Sequence, residues 1–468
     1  MDRRQFLEAL GLSTAALGTA SLSPPVGSVP SDAPRPNIVF LFSDDHSVPD
    51  LGCYGNEVIR TPNLDALADE GLRFDRAYVT SPQCSPSRAS LLTGRTPHAA
   101  GASRLHADAM SMLPSLVGLL NDTGYFTGAY RKVHQAEIQE QFDFYHDDGD
   151  LARFFEQRRR DQPFFLWFGC RDPHRPYSDG AIESPHDPAE VLMPDYLPDT
   201  PAVRQDLAHY YDEIARFDRE CGTLLDMLDD RGLAANTMVV MAGDNGLPFP
   251  RAKGTLYEPG IRVPLLVRWP DRVDAGRSTD ALVSLLDLPI TWLHAAGIAP
   301  PQTVHGTSLQ PLLRGDVSSV RDRIYAERNW HDTWDPMRCV VGERYKLIQN
   351  YRPEVGYQPA LDLANSPTYA SIQEQADADA LTDRLAEVYT AEARPQVELY
   401  DLESDPGEWD NLASDPAHAD RVRDLQLTLS RWMDETHDFL PPPRTAFPGG
   451  PDSELNTTIN PLNGTERR

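Results

Sequence analysis

The chain has 468 residues, enough for one large domain and a smaller one. Lys and Arg number 43 against 71 Asp and Glu, a formal net charge of −28. This argues against nucleic acid as a partner, because phosphate neutralisation needs clustered cations, and against docking on an anionic membrane surface. An acidic enzyme with an anionic substrate must therefore build a locally positive site.

The chain opens Met1-Asp2-Arg3-Arg4-Gln5-Phe6-Leu7, which resembles a twin-arginine export signal. A mildly apolar run, Leu10 to Ala20, follows; it is too short to stay as a membrane span. Residues 1–36 are read as signal and Ser/Pro/Gly-rich linker, which implies the Tat machinery as a partner and an exported, periplasmic or extracellular protein. Short apolar runs rich in β-branched and aromatic residues then predict strands over 37–42, 125–130, 163–169, 238–242 and 264–269. Helical patterns fall between them at 63–71, 86–92, 115–120 and 203–228. Strands alternating with helices predict an α/β fold, a mostly parallel sheet sandwiched by helices, over 37–320. A smaller α+β domain is expected over 321–440, with strands at 344–350 and 396–402 and a helix from about 417 to 435. The Pro- and Gly-rich residues 441–468 read as an extended tail.

Four predicted strands end in reactive residues: Asp44-Asp45-His46, Lys132-Val133-His134, Asp172-Pro173-His174 and Asp244-Asn245. In open α/β sheets, ligands bind beyond the carboxyl ends of the strands. Asp44, Asp45, Asp244 and Asn245 offer only oxygen, the donor set hard cations prefer, calcium above all. Arg88, Lys132, Lys253, His134 and His174 supply cations and proton donors. The five cysteines form no C-x-x-C pair, which argues against zinc or dithiol chemistry. Four read as buried small residues. Cys84 precedes Ser85, a good N-cap, and Pro86, a good first helical residue. It would sit at the positive end of a helix, either as an activated thiolate or as an inert buried thiol.

The segment Cys84-Ser85-Pro86-Ser87-Arg88 followed by Leu91-Leu92-Thr93-Gly94 resembles the signature by which sulfatases, of the alkaline phosphatase-like fold, mark a cysteine for oxidation to formylglycine. The resemblance runs from about Pro36 past His437. It implies that Asp44, Asp45, modified Cys84, Asp244 and Asn245 hold one calcium ion. It implies further that Arg88 and Lys132 fix the formylglycine hydrate and that His134 accepts a proton from it. His174 and Lys253 would contact sulfate and protonate the leaving group. A hydrated aldehyde carries two hydroxyls: one can attack sulfur, and the other can collapse to expel sulfate, which serine or thiol cannot do. A formylglycine-generating enzyme is the implied partner. Arg131 departs from the family pattern, which has Gly before the lysine.

The segments Asp244–Pro250, Tyr196–Pro201, Pro336–Arg338 and Glu435–Asp438 resemble the sulfamidase branch, the heparan N-sulfatases that cleave an N–S bond on glucosamine. They are read as pocket walls or as packing features. His331 and Asp332, beside Trp330 and Trp334, are the expected sugar contacts. Two other readings remain open: a phosphodiesterase or phosphonate monoester hydrolase of the same fold, and a non-catalytic sulfated-glycan-binding protein with unmodified Cys84.

Overall fold

The computed structural model describes residues 35–147, 150–177 and 180–440. The expected export signal and C-terminal tail lie outside the described residues, save for residues 35 and 36 of the linker. Nine strands form the main sheet: β1 (Asn37–Ser43), β2 (Leu72–Tyr78), β3 (Phe126–Arg131), β4 (Phe144–His146), β5 (Phe164–Gly169), β6 (Thr237–Gly243), β7 (Arg262–Arg268), β8 (Arg277–Thr279) and β9 (Val283–Ser284). Their order is β4-β3-β5-β1-β6-β7-β2-β8, with β9 also on β2. The run from β4 to β6 is entirely parallel. β7 pairs antiparallel with both β6 and β2, so it alone runs against the rest of the sheet.

All seven residues of β1 are buried, because helices cover both faces of the sheet. The two-residue period divides them between two cores. Ile38, Phe40 and Phe42 pack on one side with Trp167 and Trp292. Val39 and Leu41 pack on the other with Leu166, Phe168 and the inner stripe of the long Pro201–Asp230 helix, which includes Leu207, Ile214 and Phe217. Thr200 caps that helix by accepting from Val203 N, and Pro201 takes its first position. Among the described residues no helix is long and apolar enough to cross a membrane.

A second sheet of four antiparallel strands follows: β10 (Ile324–Trp330), β11 (Trp334–Val341), β12 (Tyr345–Asn350) and β13 (Val397–Asp401). The Ala419–Thr436 helix covers it with Leu425, Leu429 and Trp432, spaced to share one face. β10 joins the first sheet's loops through Glu327 N donating to Thr80 O at 2.9 Å. His331 and Asp332 lie in the β10–β11 hairpin turn.

Candidate active site

The adjacent parallel strands β3, β5, β1 and β6 are the four whose ends carry the reactive residues, so the sheet order itself gathers them. At the end of β1, Asp45 has a backbone φ of 66°. Successive side chains in a strand point to opposite faces; this left-handed kink lets both Asp44 and Asp45 reach the same cluster. Asp45 N donates to Asp244 Oδ1 at 2.9 Å, and Asn245 Nδ2 donates to Asp45 Oδ1 at 2.7 Å. Lys132 donates to Asp44 Oδ2, and Lys253 to Asp45 Oδ2 at 2.7 Å.

Cys84 is the first residue of the Cys84–Thr93 helix, with Gln83 as the extended N-cap. The expected start is therefore corrected by two residues: Ser85 is not the cap. Its hydroxyl instead accepts from His106 N at 2.6 Å, which ties a neighbouring loop to the helix. Burial first, and then Asp44 against the opposing Lys132, pushes the Cys84 thiol up to about 11.

Arg88, one turn along, is fully buried. Its Nε donates to Asp244 Oδ2 at 2.7 Å, its Nη1 to Lys132 O at 2.7 Å, and its Nη2 lies 3.8 Å from Asp44 Oδ1. The guanidinium also stacks 4.6 Å over Phe42. Burial, then repulsion from Asp44, raises the Asp244 carboxyl to about 7. Burial would raise Asp44 too, but Lys132, His174 and Arg88 outweigh it and hold that carboxyl well below its usual range.

This geometry fits a hard divalent cation. Single ligand atoms of Asp44, Cys84 and Asp244 lie within 4.8 Å of one another. Asp44 Oδ1 and Asn245 Oδ1 are buried without a hydrogen-bond partner. Buried acceptors left empty are costly, and a cation would satisfy both. Asp44, Asp45, Asp244 and Asp362 face Arg88, Lys132 and Lys253, so a divalent ion would turn the centre from net negative to net positive, a field that suits an anion.

His134 follows Lys132 at a φ of 62° and is held neutral by burial, reinforced by Lys132 and Arg88. His174 Nε2 lies 3.8 Å from Asp45 Oδ2 and 3.9 Å from Asp362 Oδ2. Arg131 has a φ of 56°, the left-handed region in which glycine costs least. Glu220 compensates by accepting from both Arg131 Nη1 and Nη2, at 2.6 and 3.0 Å, and Lys132 keeps its place.

Asp362 was not expected from the sequence. It accepts from Lys253 Nζ at 2.7 Å and is about a quarter exposed, whereas Lys253 is buried. Burial would raise its carboxyl, but Lys253 and His331 override that and hold it well below the usual range. Asp332 accepts from His331 Nδ1 at 2.7 Å and from Leu361 N at 2.5 Å, so the hairpin turn anchors the segment carrying Asp362. Its only sequence signal was a carboxylate at the start of the Leu361–Ala364 helical turn, which reads as an ordinary first-turn acid.

The remaining branch motifs divide. Arg338 Nη2 donates to Asp438 Oδ1 at 2.8 Å in a fully buried pair, so both act in packing. Arg175 and Asp206 form a bidentate pair at 2.7 Å and Arg175 Nε holds Pro248 O, fixing the loop after Asp244. Tyr196 and Leu247 line a separate cavity of about 470 Å³ that includes none of the expected site residues.

The family model described as Sulfatase matches residues 36–149 and 135–298. One described as N-sulphoglucosamine sulphohydrolase, C-terminal, matches 251–394. Human N-sulphoglucosamine sulphohydrolase is 33% identical over 91% of this chain and 95% of its own. An ulvan-active sulfatase of Formosa agariphila is 29% identical over 85% of this chain and 75% of its own. Human arylsulfatase A is 29% identical over 87% and 90%. A solved structure of a protein with its substrate, D-glucosamine-2-N,6-O-disulfate, has TM-score 0.67 at 21% identity, covering 87% of this chain and 99% of that one. A 2-O glycosaminoglycan sulfatase has TM-score 0.60 at 21% identity, over 86% and 93%. These two show a shared fold.

Proposed function

The chain belongs to the sulfatase family, and from that premise we propose that it is a sulfamidase-like hydrolase of sulfated glucosamine that works through formylglycine at residue 84 and one calcium ion. The observation that carries this is the position of Cys84. It starts a buried helix, in a Cys-x-Pro-x-Arg segment, within reach of two carboxylates and above Arg88. Support for the sulfamidase branch comes from residues 251–394, which match the N-sulphoglucosamine sulphohydrolase C-terminal model. That span contains Lys253, His331, Asp332 and Asp362.

Asp44, Asp45, Asp244, Asn245 and the residue-84 side chain would hold the cation, whose charge would stabilise oxygen anions at the centre. A hydrated aldehyde at residue 84 would supply the two hydroxyls that displacement and release require. Arg88 and Lys132 hold Asp244 and Asp44, the two carboxylates nearest that side chain, and would fix the hydrate there. His134, neutral, is a proton acceptor. His174 and Lys253 face the leaving-group side, where the Lys253 ammonium is held charged: burial opposes it, but Asp45 and Asp362 prevail. An ammonium and an imidazole there can bind sulfate oxygens and donate a proton to the departing nitrogen or oxygen. Asp362, partly exposed on the same side, is suited to hydrogen-bonding sugar hydroxyls. Export through the twin-arginine route is proposed from Arg3-Arg4-Gln5-Phe6-Leu7 and the apolar run Leu10 to Ala20.

The test is mass spectrometry of the residue-84 peptide, paired with sulfate release from N-sulfoglucosamine and from glucosamine 6-O-sulfate. The expected result is a loss of about 18 Da, thiol to aldehyde, with release from the N-sulfo compound. Release only from the 6-O-sulfate would shift the reading to an O-sulfatase, consistent with the arylsulfatase A likeness. An unmodified thiol and no release would overturn it in favour of a sulfated-glycan-binding protein.

A further inference from the structure

We propose that Asp362 is the residue by which this site tells a sulfamate from a sulfate ester: its carboxylate accepts the N–H of the scissile N–S bond. This rests on the reading of the Cys84 centre as that of a sulfatase. The two substrate classes differ at the bridging atom. In a sulfamate the bridging nitrogen carries a hydrogen; in an ester the bridging oxygen carries only lone pairs. An ionised carboxylate offers only acceptor positions. Set against the bridging atom, it makes a charge-assisted hydrogen bond with the first and repels the second.

Asp362 stands on the leaving-group side. The two proton donors there, Lys253 and His174, have to converge on the bridging atom. Asp362 Oδ2 lies 2.7 Å from Lys253 Nζ and 3.9 Å from His174 Nε2. Lys253 in turn is close enough to residue 84 to act electrostatically on its thiol. Of the four carboxylates at the centre, Asp362 alone is open to a ligand: its side chain is 23% exposed, against 1% for Asp44 and 0% for Asp45 and Asp244. It is also held in place. Its Oδ1 accepts from Leu363 N at 3.0 Å, and Leu361 N is bound by Asp332, itself paired with His331. Leu363 and Lys253 take two of a carboxylate's roughly four acceptor positions, which leaves a face for substrate.

A carboxylate at the mouth of an anion site needs a reason, since it repels the sulfate that the site must bind. Holding Lys253 is not that reason, because Asp45 already pairs with its ammonium at 2.7 Å. A leaving nitrogen supplies one. Cleavage passes the sulfuryl group to the nucleophile and leaves the electron pair of the N–S bond on nitrogen. The nitrogen takes one proton from the donors and departs as an amine, with its first hydrogen still on Asp362. Once protonated further by water, the product is an ammonium, a full opposite charge for the same carboxylate. An ester delivers a hydroxyl and gains neither contact. A site built around a substrate N–H rejects the analogue without it by roughly ten-thousandfold when the acceptor is buried. Solvent weakens a partly exposed one, so we expect about a hundredfold here.

The experiment uses two substrates that differ only in the bridging atom, N-sulfoglucosamine and glucose 2-O-sulfate, with the wild type, Asp362→Asn and Asp362→Ala. The readout is the ratio of their kcat/KM values, which a variant that merely loosens the site leaves unmoved. We expect the wild type to favour the N-sulfo compound by about a hundredfold, and Asp362→Asn to bring the ratio within about tenfold, because an amide can also donate to a bridging oxygen. The second readout needs no turnover: calorimetry in calcium, with glucosamine and glucose as the two products. Glucosamine should bind the wild type at least about tenfold more tightly than glucose, and both variants should lose that difference. A ratio unchanged in both variants of a wild type that cleaves the N-sulfo compound overturns the role of Asp362 alone. A wild type that releases sulfate only from esters overturns it too, while the sulfatase reading stands. An unmodified residue 84 with no sulfate release overturns the sulfatase reading and this role with it.

Discussion

Arg88 offers the sharpest test of how the site is held together. It is fully buried between Asp244 at 2.7 Å and Asp44 at 3.8 Å, with Lys132 O on its third side. Arg88→Ala removes that cation and leaves Asp244 buried against a like charge. Breaking one side of a buried pair costs about 3–5 kcal/mol. Arg88→Lys keeps the charge but loses the fork, and one charge-assisted bond is worth about 1.5–3 kcal/mol. The assay is urea unfolding in chelator and again with millimolar calcium. Without calcium, the expected order of stability is wild type, then Arg88→Lys, then Arg88→Ala. Adding Asp244→Asn to Arg88→Ala should recover stability, because the orphaned carboxylate is gone. Calcium should stabilise the wild type by RT ln(1 + [Ca]/Kd) and the double variant far less, since it lacks a ligand. If Arg88→Ala is as stable as the wild type in chelator, the account of Arg88 as the buried counter-charge is wrong.

Three further outcomes follow from the same geometry. Asp362→Ala should lower kcat/KM for a sulfated glucosamine by roughly 10-fold to 150-fold, the value of one charged hydrogen bond, with calcium affinity unchanged by calorimetry; a fall in calcium affinity would place Asp362 among the ligands. His46 is buried, and that burial lowers its ring from 6.5 to about 4. The unfolded chain therefore binds a proton between those values that the folded one refuses, so stability falls by about 3 kcal/mol as pH drops from 6.5 to 4, and His46→Gln should flatten that slope in urea unfolding. Gly246 follows Asn245, a proposed cation ligand, and a Cβ there would meet Pro259 O at 1.7 Å and Gly260 Cα at 2.8 Å, both backbone. Gly246→Ala should cost about 3 kcal/mol and weaken calcium-dependent stabilisation; a melting curve matching the wild type would show that the loop can yield.

The strand ends were legible because their signal is local. A buried parallel strand needs a continuous apolar run, and its carboxyl end must carry polar residues if a ligand binds there. The runs before Asp44, Lys132, Asp172 and Asp244 meet both conditions, and Cys84 to Gly94 carries its signature in eleven consecutive residues. β2 was missed because the consecutive Asp75 and Arg76 break the apolar–polar alternation of Leu72–Tyr78, and only its pairing with β7, irregular between Phe74 and Ala77, identifies it as sheet. The reversal of β7 leaves no mark in composition, since strand direction depends on where the connecting chain returns. β10 hides Glu327, Arg328 and Asn329 in its interior; they read as loop until Arg338 and Asp335 of β11 supply partners.

The amino-acid sequence by itself determined the donor chemistry of the site, the position of the proposed nucleophile and the alternating strand–helix plan. Only the tertiary structure decided that Cys84 opens its helix, that Asp362 bridges toward Lys253 and His174, and that His106 meets His134. Asp362 lies 109 residues from Lys253, and His106 28 from His134. Contacts of that separation are set by the path of the backbone through space, to which the identity of neighbouring residues contributes no periodic or local signal.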